Sequence, residues 1–120
     1  MSLIPKLKRA NNIFQTYSMA PTVLITGASE GIGKATALLF SRQGYNLVIA
    51  ARHSEGLEAV AREVQSLGGA APLTVTCDVT DASQVDTLVQ KALEHYGYID
   101  VLINNAGIFA SGPVELVFSE

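Results

Sequence analysis

Four short apolar runs, each separated from the next by a stretch with helical spacing, constrain this chain more than any other feature. The runs at 22–26, 46–51, 73–77 and 101–104 are rich in Val, Ile, Leu and Thr. They show almost no polar alternation, the pattern of strands covered on both faces in a parallel sheet. Between the first two runs, Ile32, Ala35, Thr36, Leu39 and Phe40 share a helical stripe that Gly44 ends. Leu57, Val60, Ala61, Val64 and Leu67 form a second stripe, opened by Ser54 as N-cap and closed by Gly68 and Gly69. Val85, Leu88, Val89, Ala92, Leu93 and Tyr96 form a third, with Thr80 or Asp81 at its start and Gly97 at its end. Right-handed crossovers turn this β-α-β-α-β-α-β order into an α/β fold, a doubly wound parallel sheet of about four strands in the order 3-2-1-4.

Composition narrows the function classes. The 120 residues suit a single domain, and at 48% hydrophobic they can fill a core. Eight Lys and Arg against eleven Asp and Glu give a net charge of −3, so no broad basic field awaits nucleic acid or anionic lipid. No apolar run approaches the roughly 20 residues of a membrane-spanning helix. The single cysteine, Cys77, has no partner for an internal disulfide, which points to a reducing, cytoplasmic setting. Lys6, Lys8 and Arg9 make the first 18 residues net +3 with no acid, while the other 102 sum to −6. Residues 1–20 therefore read as a disordered basic leader ahead of the folded part at 21–120, and Met19 heads a second plausible start.

The chemistry begins where the first run ends. Gly27-Ala28-Ser29-Glu30-Gly31-Ile32-Gly33 leads from strand straight into helix. Gly27 tolerates the unusual dihedral angles of a tight turn. Without a Cβ, Gly31 leaves room for a pyrophosphate near the backbone, and Gly33 lets helix and strand approach closely. The free amides of the helix's first turn, helped by the macrodipole, then face the phosphates. Glycines also simply punctuate sharp turns; it is the position between a strong strand and a strong helix that favours nucleotide binding.

A doubly wound domain reads the adenosine ribose at the end of its second strand. An acid there suits the 2′-hydroxyl of NAD, and an Arg the 2′-phosphate of NADP. The run ends Ala50-Ala51-Arg52-His53, with a guanidinium and no carboxylate at the tip. Arg52 therefore favours NADP(H) over NAD(H).

Asp78-Val79 after the third run and Asn104-Asn105-Ala106-Gly107 after the fourth complete a pattern. Together with Thr26-Gly27 and the two later glycines, they resemble the short-chain dehydrogenase/reductase family from about residue 22 to 113. The resemblance implies a Rossmann fold and an oxidoreductase that moves hydride between a nicotinamide cofactor and a small carbonyl or alcohol. By position it implies that Gly27, Ser29, Gly31, Ile32 and Gly33 line the pyrophosphate and that Arg52 meets the 2′-phosphate. Asp78 and Val79 flank the adenine. Asn105, Ala106 and Gly107 run under the ribose toward the nicotinamide, while Asn104 braces the central strands. Asn and Gly are also common in plain turns, but the tetrapeptide's company at the other strand ends favours the family motif. One departure weakens the NADP preference: Glu30 stands where NADP-preferring members often carry a base.

The family's catalytic set of Ser, Tyr and Lys is not found, so no catalytic residue is assigned. Four residues past Tyr17, Tyr45, Tyr96 and Tyr98 stand Pro21, Ile49, Asp100 and Leu102, and no Lys follows Lys91. A phenol with no cation beside it is a poor proton shuttle at neutral pH. The expectation is an incomplete sheet, the cofactor-binding part of a dehydrogenase cut before its catalytic segment. The alternative is a catalytically silent dinucleotide-binding fragment, acting as a sensor, an interaction module or a remnant. An uncovered fourth strand would then invite self-association. No metal site is expected, since His53 reads as loop surface and His95 as helix surface. Cys77 reads as buried and inert, and Lys34 as solvated.

Overall fold

The computed structural model describes residues 20–106. Its elements alternate strictly: β1 (Thr22–Thr26), α1 (Gly31–Arg42), β2 (Asn46–Ala51), α2 (Ser54–Ser66), β3 (Leu73–Thr76), α3 (Ala82–Tyr96) and β4 (Val101–Asn104). The four strands form one parallel sheet in the order β3-β2-β1-β4, as the pattern of runs predicts. Leu24 sits opposite Val48 on one side and Leu102 on the other, so the two central strands are flanked along most of their length.

Burial explains the missing polar alternation. Every residue of β1 and all but Asn46 of β2 are buried. Successive side chains point to opposite faces, and each face carries its own core. Val23, Ile25, Leu47 and Ile49 meet α1 and α2 through Ala37, Leu57, Val60 and Val64. Leu24, Val48, Ala50, Val75 and Cys77 meet α3 through Leu88 and Ala92. The outer strands are less enclosed: Thr74 and Thr76 of β3 are exposed, and all four residues of β4 are half-buried.

Three local expectations change. The α1 stripe is turned by about one residue: Gly33 and Ala37 are buried, whereas Ile32 is 76% exposed and Leu39 47% exposed. Small side chains let this helix lie close on the sheet, and closeness, not bulk, selects its inner face. Ser54 is the first helical residue of α2; His53 is the N-cap and makes no side-chain cap. β3 ends at Thr76, although Cys77 N–H still donates to the Ala51 carbonyl at 2.8 Å. Asp81, not Thr80, caps α3, and Gly97 ends that helix in the left-handed region at φ 92°.

The bottom of the sheet is tied by polar bonds. Thr22 N–H donates to Asp100 Oδ2 at 2.7 Å, and Tyr98 Oη donates to the Ala20 carbonyl at 3.2 Å. The opposite, carboxyl end of the strands is open.

Candidate functional site

A cleft of about 610 Å³ lies across the carboxyl ends of the strands. β1 and β4 are neighbours there while the chain's crossovers lead away in opposite directions, which makes this the topological switch point where doubly wound sheets hold ligands. Gly27, Ser29, Glu30, Ile32 and Gly33 line it after β1, and Ala51, Arg52 and His53 after β2. Cys77, Asp78, Val79 and Thr80 follow β3, and Asn105 and Ala106 follow β4.

Backbone geometry explains why glycines stand where they do. Gly27 takes φ 64°, and a Cβ there would sit 2.7 Å from the Asn105 carbonyl group and 2.8 Å from Ala106 N. The first turn thus rests directly on the segment after β4. At Gly33 a Cβ would run into the Gly27 carbonyl oxygen. At Gly31 it would meet nothing within 4 Å, so the space beside that backbone is open. Hydrogen bonds lock the same seam: Thr26 Oγ1 donates to Asn104 Oδ1 at 2.7 Å, Ala106 N–H donates to the same oxygen at 3.2 Å, and Asn105 N–H donates to the Thr26 carbonyl at 3.2 Å. Ala28 N–H ties the turn to β2 through the Ala50 carbonyl at 3.1 Å.

Donors and charges are distributed unevenly around this cleft. No side chain caps α1, and its first helical bond runs from Lys34 N–H to the Glu30 carbonyl. The amides of Gly31, Ile32 and Gly33 therefore have no intrahelical acceptor, and the positive end of the dipole is free for an anion. α2 likewise lacks a side-chain cap. By contrast α3 is closed, since Asp81 Oδ1 accepts from Ser83 N–H at 3.0 Å and Gln84 N–H at 3.3 Å. Bonds from the Ser83 hydroxyl and the Gln84 and Ser83 amides hold the Asp81 carboxyl below its usual range.

Asp78 is held low as well, first by the Thr80 hydroxyl and then by the Thr80 amide, with Arg52 adding a smaller attraction. Both Thr80 bonds fall on Oδ1, at 2.7 Å and 3.0 Å. Asp78 is thus an ionised acceptor facing the same cleft as the Arg52 guanidinium. Burial, and then the nearby Asp78 and Asp81 charges, push the Cys77 thiol up, so it is a protonated wall and not a nucleophile. At the base, Asn105 Nδ2 is buried without an acceptor among the described residues. An orphan amide, open backbone amides, a guanidinium and a carboxylate fit a ligand with linked anionic groups and a polar ring.

Nine of the sequence-derived candidates meet here: Gly27, Ser29, Ile32, Gly33, Arg52, Asp78, Val79, Asn105 and Ala106. Gly31 stands at the first turn of α1 outside the lining, and Gly107 lies outside the described residues. His53, Cys77 and Thr80 also line the cleft, each beside a candidate that the strand ends had already marked. Lys34 turns away to pair with Glu63 at 3.0 Å. Among the described residues, no three His, Cys, Asp or Glu side chains are grouped to hold a metal, and no helix is long and apolar enough to cross a membrane.

Comparison with known proteins gives a consistent result. The family described as short chain dehydrogenase matches residues 21–119. The 3-oxoacyl-(acyl-carrier-protein) reductase FabG of Thermotoga maritima is 45% identical over 85 residues, covering 71% of this chain and 34% of that protein. A metagenomic short-chain oxidoreductase solved in complex with NADP is 36% identical, with a TM-score of 0.70, covering 73% of this chain and 39% of the other. The 3-ketoacyl-(acyl-carrier-protein) reductase of Brucella melitensis, solved with NADH, is 37% identical with a TM-score of 0.63, covering 69% and 33%. The chain spans between 17% and 37% of the length of curated relatives that it matches, 37% in the case of a Listeria monocytogenes oxidoreductase.

Proposed function

This chain belongs to the short-chain dehydrogenase family, and from that premise we propose that it holds a nicotinamide dinucleotide, NADP(H) ahead of NAD(H). It does so as the cofactor-binding part of an oxidoreductase acting on a small carbonyl or alcohol. The observation that carries this is the single cleft in which uncapped helix amides, Arg52 and the Asp78 carboxylate face one another. Such a nucleotide supplies the hydride that its nicotinamide ring gives or takes. The chain's own residues supply the grip. The amides of Gly31, Ile32 and Gly33, with Gly27 and Ser29 beside them, take the diphosphate. Asp78 accepts from the adenine amine next to Val79, and Asn105 and Ala106 support the ribose leading toward the nicotinamide, with Gly107 following them.

Related structures hold both NADP and NADH, so the preference rests on Arg52. Its guanidinium offers a 2′-phosphate two charge-assisted bonds where an acid would repel it. Glu30, exposed on the same rim, works against it and keeps the preference modest. Fluorescence titration of the full chain with NADPH and NADH tests this. NADPH binds more tightly to the parent, and Arg52→Ala weakens NADPH by roughly tenfold while sparing NADH. Equal affinities in the parent would refute the preference.

A further inference from the structure

We propose that Gly56 is a positioning residue that sets where Ser29 stands at the adenosine end of the cleft. The inference rests on the reading of that cleft as a dinucleotide site. Gly56 is the third residue of α2, in helical backbone that any residue adopts, so conformation alone does not call for glycine. Glycine is among the poorest helix formers, and a first turn would gain from Ala. Space supplies the reason. A Cβ at Gly56 would lie 2.7 Å from Ser29 Cβ, 3.4 Å from Ser29 Oγ and 3.7 Å from the Ser29 carbonyl oxygen. The start of α2 therefore presses on the turn after β1 through a side chain that is missing.

The contact joins two parts of the site. On one side Ser29 precedes the open amides of α1; on the other, Gly56 follows Arg52 by four residues and His53 by three. Ser29 thus stands between the groups that face the diphosphate and the guanidinium that faces the 2′-position. One residue earlier, the Ala28 amide anchors the turn to β2. Any push on Ser29 is therefore carried by its own backbone and side chain, because the turn behind it is fixed. With Ala at position 56, Ser29 moves into the cleft or α2 lifts away and takes Arg52 with it.

A double-mutant cycle tests the proposal. The full chain is compared with Gly56→Ala, Ser29→Gly and the double variant, by NADPH and NADH titration and by thermal unfolding. The expected result is that Gly56→Ala weakens NADPH about tenfold in the parent but changes it less than twofold in the Ser29→Gly background, where the atom it would strike is gone. Its melting temperature rises in that background and not in the parent; should Gly56→Ala alone fail to fold, recovery in the double variant supports the same contact. Gly56→Ala binding NADPH as tightly as the parent, or losing the same factor in both backgrounds, overturns the inference alone. A parent that binds neither nucleotide overturns the reading of the cleft and this inference with it.

Discussion

The space a side chain would need at Gly33 is taken by the Gly27 carbonyl, and the absence of that side chain lets a helix leave β1 without a longer loop. The Gly33 Cβ position coincides with a backbone carbonyl, which cannot rotate away as a side chain does. Gly33→Ala is expected to cost about 3 kcal/mol or more, near the upper end for overpacking, because α1 must lift off the sheet. Gly44→Ala is a useful contrast: its left-handed φ of 89° is strained for Ala, at about 1–2 kcal/mol, but its Cβ would meet nothing. Chemical denaturation of the two variants measures the difference. Cys77 gives a second check at this scale. Buried and held protonated, it should resist thiol reagents at neutral pH until denaturant exposes it, and rapid labelling of the folded chain would contradict its position. That Arg52, Asp78 and Asn105 gather around one cleft is legible in the sequence, because each follows a strand end. Gly56 is not, since nothing local marks a residue whose partner lies 27 positions away.

Elements differ in what they leave open. α3 is capped by Asp81 while α1 and α2 are not, and of the three helices only α1 contributes first-turn residues, Ile32 and Gly33, to the cleft. The Asp81 carboxyl titrates below its ordinary value of 3.8, so its contribution is fully present above that value. It is lost as pH falls through the depressed folded-state value. Asp81→Ala should therefore lower the melting temperature at pH 7, with the gap to the parent narrowing below about pH 3.8. A gap that persists unchanged in acid would assign the effect to something other than the charged cap. Strand positions and helix order are legible because unbroken apolar runs and glycine stops are local signals. The inner face of α1 is not. Hydrophobicity favours Ile32 and Leu39, but the residues of α1 that are fully buried are Gly33 and Ala37, with Leu38 and Phe40 packed beside them, a preference set by distance.

Across the whole molecule, the lining of the cleft is gathered from all four strand ends, so a bound nucleotide would touch every crossover unit at once. Ligand that binds only the folded state stabilises it by mass action. NADPH at a hundred times its dissociation constant is expected to add about 2.7 kcal/mol, read as a rise in melting temperature that scales with the logarithm of its concentration. A melting temperature indifferent to NADPH would count against the site. The sheet order has a further consequence in time. β1 is made first but acquires its second neighbour only from β4, and the Thr26–Asn104 bond closes a loop of 78 residues. While the chain is still emerging from the ribosome, the glycine-rich turn has no floor to rest on. A nucleotide held in this cleft would therefore meet its complete site only once β4 has docked, as a seal on a nearly finished structure and not as a template around which the nascent strands gather.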